Sequence, residues 1–248
     1  VKYSDLDLAR ARGRYEEDPS SERLFDYLSA LHNHCISVEP LDGHEAVHPL
    51  LEEYLARARS AEAQESPRQA LDALAAGLRL FAPVIEKMEG LTAARPLWKE
   101  CVALCRDLVR TRDTLNNRFR LASAISRFGH VLYELEGPAA ARHLYEEYER
   151  ITRMLAAEQE TPTMLEEHTL ALIKLAGVET AEGEHEPAQR MYRQALELSR
   201  QLFEANPNRV EMRKHSLRLV AAAGDLDVMG DAETAEKNQY QGDIASAM

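Results

Sequence analysis

Five glycines set the frame for this chain. Gly43, Gly90 and Gly137 stand 47 residues apart, and Gly183 and Gly230 repeat that interval after one residue is lost between Gly137 and Gly183. A fixed period of this length is the mark of a repeat protein, in which each unit buries its apolar face against its neighbours. Other positions keep step. Small residues recur at Ala94, Ala141, Ala188 and Ala235, with Val47 before them, and bulky ones at Leu51, Trp98, Tyr145 and Tyr192. Leu108, Leu155 and Leu202, preceded by Ala61, hold the beat further on, while Pro67, Pro162 and Pro207, with Thr114 in the remaining slot, mark the far end of each period.

Within a period the apolar residues follow a helical rhythm. Leu172, Leu175 and Ala176 fall at i, i+3 and i+4, and Ala188, Met191, Tyr192, Ala195, Leu198 and Leu202 continue one stripe. The glycine between stripes stops one helix, since only glycine takes left-handed backbone angles at little cost, and the Thr-Pro and Asn-Pro steps end the next. Each period is thus two antiparallel helices. The spacing predicts helices over 4–16, 21–38, 44–63, 67–88, 91–112, 116–135, 138–158, 163–181, 186–204, 208–223 and 231–245, with Ser20 or Ser21 as an N-cap. Ala, Leu, Glu and Arg dominate and aromatic residues make up 6%, which favours helix over sheet. The expected fold is an all-α solenoid of helix pairs. A capping helix over 1–20 precedes a repeat domain over 21–248, with repeats at about 21–66, 67–114, 115–161, 162–207 and 208–248 and no linker between them.

The charge balance narrows the partners. Thirty Lys and Arg against 42 Asp and Glu leave a net charge of −12, which disfavours nucleic acid as a partner. The exception is a basic island over 95–130 (Arg95, Lys99, Arg106, Arg110, Arg112, Arg118, Arg120, Arg127). It lacks interleaved aromatics beyond Trp98 and Phe119 and suits an acidic protein segment better than stacked bases. The opening VKYSDLDLAR has no basic-then-apolar signal profile, no apolar run is long enough to span a membrane, and three cysteines form no disulfide framework. A soluble, cytoplasmic protein is expected.

At residues 172–198 the pattern becomes recognisable. Leu172, Leu175, Ala176, Gly183, Ala188, Tyr192, Ala195 and Leu196 stand where tetratricopeptide repeats (TPR) place their large, small and turn residues. Phe128, Gly129, Ala141 and Tyr145 match one period earlier, and Gly230 with Ala235 one later. The chain resembles a long-helix, bacterial-type TPR protein, well over 120–235 and more weakly over 21–115, with 47 residues in place of the usual ~34. The resemblance implies a right-handed superhelix that binds a peptide, segment or partner domain on a concave face lined by the first helix of each pair. With Cys35, Ala82 and Gly129 as equivalent small positions, that face gives His32, Arg79, Glu86, Ser126, His130 and Tyr133 as partner-binding residues, Arg79 and Tyr133 foremost. Arg106, Arg110, Arg112, Arg118 and Arg120 form the alternative docking patch.

Other constellations read as structure. His32, His34, Cys35, His44 and His48 offer ligand-type side chains near one helical corner, but Cys35 falls on the core beat and no metal is expected. Cys101 and Cys105 lie on the apolar stripe and read as core. Glu52–Glu53, Glu146–Glu147 and Glu166–Glu167 point ~100° apart on a helix, too divergent to share a proton, and read as solvated faces. With no phosphate loop, nucleophile elbow or metalloprotease motif, no enzyme activity and no cofactor are expected. The function expected is a protein-interaction scaffold. Rival readings are the regulatory region of a larger bacterial protease, kinase or NTPase, and a peptide-responsive transcription regulator. The terminal repeat is a candidate surface for homo-oligomers.

Overall fold

A computed structural model describes residues 2–62 and 67–205. The expected helices 208–223 and 231–245, together with Pro207, Gly230 and Ala235, lie outside the described residues. Nine helices fill those that are described: α1 (Lys2–Glu17), α2 (Ser21–Asp42), α3 (His44–Glu62), α4 (Pro67–Met88), α5 (Leu91–Thr111), α6 (Leu115–Glu136), α7 (Pro138–Glu158), α8 (Pro162–Ala181) and α9 (His185–Ala205). Among the described residues there is no strand, and the fold is all-α. The chain forms two compact units, Val1–Leu135 and Glu136–Met248.

Inside unit 1, α1 packs on α2, α2 on α3, α3 on α4 and α4 on α5; inside unit 2, α7 packs on α8 and α8 on α9. Turns of a few residues between packed neighbours make each pair antiparallel. The period is legible in the cores. Val47, Ala94, Ala141 and Ala188 are all buried, as are Leu51, Trp98, Tyr145 and Tyr192 one turn on. The next two turns carry Tyr54, Cys101, Tyr148 and Ala195, then Ala58, Cys105, Thr152 and Ser199, again all buried. Cys101 and Cys105 are therefore core positions of the repeat. The first helices show the same order: Leu31, Leu78, Ile125 and Leu172, then Cys35, Ala82, Gly129 and Ala176, lie at equivalent buried sites.

Two local readings are corrected. Helix α2 does not stop at residue 38 but runs through Pro40 to Asp42, because a proline in the last turn forfeits a single ladder bond. Ser20 holds the N-cap position with extended angles, yet its side chain makes no cap bond; its hydroxyl donates instead to Asp18 Oδ2 at 3.2 Å.

The turn glycines have a sharper requirement than the left-handed helical region. Gly90 has φ 92° and ψ 176°, and Gly43 (83°, −178°) and Gly137 (91°, 176°) repeat it. This is the region with φ positive and ψ near 180°, which is closed to side chains other than hydrogen. Nothing lies within 4 Å of a Cβ built on Gly90 or on Gly13 inside α1, so crowding is absent at both. Gly90→Ala should therefore lower stability by about 1–3 kcal/mol through backbone strain alone. Gly13→Ala should raise it by up to ~1 kcal/mol through helix propensity. Urea unfolding of the two variants checks the pair; equal effects would show that the turn relaxes.

Helix α1 attaches by polar contacts. Among its described side chains, Ala11 is the buried hydrophobic one. Glu53 of α3 accepts from Arg12 at 2.8 Å, Tyr27 at 2.8 Å and Arg57 at 3.1 Å. Arg12 also donates to the Tyr27 hydroxyl at 2.9 Å, and Tyr15 stacks on Tyr27 with centroids 6.0 Å apart. Glu53 is thus no solvated carboxylate. Burial alone would raise its pKa, but the hydrogen bonds from Tyr27 and Arg57 and the charge of Arg12 outweigh that and hold it low.

Candidate functional site

The first helices of unit 1 enclose a cleft of about 760 Å³. Helix α2 supplies Phe25, Leu28, Ser29, His32 and Asn33, and the N-terminal half of α4 supplies Arg68, Gln69, Asp72, Ala73 and Ala76. The start of α6 contributes Asn116, Asn117 and Arg120, the end of α5 Leu108, Thr111 and Arg112, and α3 contributes Tyr54.

Its walls are pinned by buried hydrogen bonds. The Tyr54 hydroxyl donates to the Ala73 carbonyl at 3.0 Å, fixing α4 on α3, and burial pushes this phenol up to about 12. Asn117, 8% exposed, donates through Nδ2 to the Arg112 carbonyl at 2.9 Å and towards the Leu108 carbonyl at 3.4 Å. Its own backbone N–H donates to Thr114 Oγ1 at 3.2 Å. One side chain therefore satisfies the open carbonyls at the end of α5 and the first amides of α6 are served by Thr114, a division that helix termini demand. This corner holds Arg112 and Arg120 at the rim.

The sequence candidates are distributed unevenly about this cleft. His32 lines it. Arg79 acts on His32 electrostatically but, with Glu86, Ser126, His130 and Tyr133, it is not among the lining residues. Ser126 is buried at 7% exposure, and His130 lies 3.9 Å from Glu134. The candidates flank the small position by one turn, whereas the void opens two turns earlier on α4 and α6.

The basic island is divided. Arg112 and Arg120 face the cleft. Arg110 is tied to Asp107 and Arg118 to Asp113, and Arg106 is exposed. Arg120 pairs across the cleft with Asp72 at 2.8 Å. Burial, with the charges of Arg79 and Arg120, lowers the pKa of His32 and keeps the ring neutral. Its Nδ1 is buried without a hydrogen-bond partner among the described residues, and its ring lies 6.3 Å from that of Tyr54.

The histidine and cysteine candidates do not gather. His34 Nδ1 approaches Ser4 at 3.3 Å and Asp5 at 3.6 Å, His44 approaches Glu39 at 3.2 Å, and His48 lies against the Phe81 ring at 5.3 Å. Among the described residues no three His, Cys, Asp or Glu side chains are placed to share an ion. Burial pushes the Cys35 thiol up to about 11. Cys101, hydrogen-bonded to Cys105 and buried, is likewise held in its protonated form. Neither is disposed to act as a thiolate nucleophile. Among the described residues no helix is long and apolar enough to cross a membrane.

No family model matches the chain, and no curated protein does. Among solved structures it is similar to BtubC (BKLC) from P. vanneervenii, with a TM-score of 0.69 and 15% identity, covering 98% of this chain and 90% of that one. The de novo designed helical repeat protein DHR64 aligns over 91% of this chain and 92% of its own at 15% identity, but with a TM-score of 0.20. At 15% identity the likeness to BtubC is one of fold, and with the period and the helix pairs it places this chain among all-α helical-repeat proteins.

Proposed function

We propose that the chain is a TPR-type scaffold without catalytic activity of its own, working in the cytoplasm, and that it holds a peptide segment of another protein in the cleft of unit 1. The observation that carries this reading is the cleft itself. It is an open recess between first helices, walled by amides, hydroxyls, arginines and a neutral histidine over an apolar floor of Leu28, Ala73 and Ala76. Side chains that donate and accept around an apolar base suit a bound backbone with alternating polar groups. The cleft is already formed by packed helix pairs, so little ordering cost falls on the scaffold side.

Panning a random-sequence peptide library against the chain tests the proposal. Selected peptides should lose about tenfold or more in affinity for a His32→Ala/Asn116→Ala variant, by isothermal titration calorimetry. A matching loss in Arg79→Ala/Tyr133→Ala would carry the site onward along α4 and α6. Failure to enrich any peptide, or undiminished binding to the His32→Ala/Asn116→Ala variant, would refute it.

A further inference from the structure

The cleft has a chemical bias that its size and polarity do not by themselves imply. Its charged side chains are Arg68, Arg112, Arg120 and Asp72. Asp72, the lone carboxylate of the lining, is already engaged by Arg120 at 2.8 Å. Among the described residues no carboxylate pairs with Arg68 or Arg112, although both stand exposed at the rim. Several other arginines of this chain, whose net charge is −12, are held by carboxylates: Arg110 with Asp107, Arg118 with Asp113, Arg142 with Glu179, Arg59 with Glu100. The surplus of positive charge is thus local and faces a recess. Partly enclosed walls of low polarisability strengthen such a field relative to open water.

We propose that the cleft selects an acidic segment, reading side-chain carboxylates along the ligand by means of Arg68, Arg112 and Arg120; this rests on the peptide-scaffold reading above. The three guanidiniums come from three different elements, the first turn of α4, the residue closing α5 and the second turn of α6. A ligand that met all three would therefore cross the cleft instead of lying along one helix. Arginine suits this task because its planar fork accepts a carboxylate in two parallel hydrogen bonds. Asn116 and Gln69 stand beside the arginines with amides for the ligand backbone. His32 lies deeper, where its neutral ring forms part of the cleft wall. The recognised groups lie within the segment, so a free chain terminus is not required.

The test uses the full chain and a capped peptide of alternating Glu and Ser, beside its Gln and Lys counterparts, with acetylated and amidated ends. The Glu peptide should bind at least about tenfold more tightly than the Gln peptide, and its affinity should fall steeply with salt. Arg68→Glu/Arg112→Glu should abolish the preference, whereas Arg150→Glu/Arg190→Glu, the same change in net charge placed in unit 2, should preserve it. Arg68→Gln/Arg112→Gln, which introduces no new charge, should give an intermediate loss, and circular dichroism establishes that each variant is folded. Peptides that bind without regard to charge would sink this inference and leave the scaffold reading intact, whereas no binding by any peptide would remove both. Full competition by inorganic phosphate at equal concentration would overturn the inference in favour of a small-anion site, and an equal loss in the unit 2 variant would reduce it to a general charge effect.

Discussion

Replacing Arg142 by Met is expected to destabilise unit 2 by about 3 kcal/mol, and adding Glu179→Leu is expected to restore most of that loss. Glu179 is 7% exposed and accepts both arms of the Arg142 guanidinium, at 2.7 and 3.0 Å. The same guanidinium also holds Glu182. The reason for the expected recovery lies in the repeat. Counting back by periods, the site of Glu179 is filled by Leu132, Ile85 and Val38, all buried. A carboxylate has taken an apolar position, and Arg142 keeps it tolerable. Without the arginine the charge is stranded; without either, a leucine fills the site as it does one period earlier. Urea unfolding of both single variants and the double variant closes the cycle. A change under about 1 kcal/mol in Arg142→Met would mean that water reaches the Glu179 carboxylate and that its charge is not stranded.

The second large effect is pH dependence at His168. This residue also breaks an apolar column, at the site that Tyr27, Leu74 and Leu121 occupy in other periods, and it is 4% exposed. Burial, helped by Arg153, lowers its pKa to about 4. In the unfolded chain an imidazole takes its proton near pH 6.5, so the folded state refuses a proton that the unfolded state accepts. The neutral ring's contribution is complete above pH 6.5 and is lost as the pH falls towards 4, by up to about 3 kcal/mol. His168→Leu should flatten that part of the profile. Amide exchange in α8, measured at pH 7 and pH 4.5, is the direct check. An unchanged pH slope in the variant would assign the loss to carboxylates.

How much of this the sequence reveals depends on whether a feature obeys the period. Helix–helix packing does, which is why the beat of Ala94, Ala141 and Ala188 and the starts of α3 to α9 are legible from spacing. The cleft does not. Its position depends on the corner made by Arg112, Thr114 and Asn117, whose bonds join the end of one helix to the start of the next and have no periodic signature. The candidates therefore fall on helices that wall the cleft but mostly about two turns from the void. The basic island reads as one patch because Asp107 and Asp113 look too few to divide it, yet they engage Arg110 and Arg118 and leave the cleft arginines apart. Glu53 is missed because its partner Arg12 lies outside any local spacing. The two polar intruders, Glu179 and His168, become visible only when the period is aligned column by column.

The polar attachment of α1 has a consequence for how the molecule comes apart. Every other described helix adds several apolar side chains to a core, whereas α1, among its described side chains, buries Ala11, stacks Tyr15 on Tyr27 and otherwise relies on the charges around Glu53. Apolar burial withstands dissolved ions, while half-exposed charge pairs weaken in them. Ionic strength thus sets an order of release, with α1 peeling first and baring Tyr27 and Glu53 while the helix pairs beneath it hold.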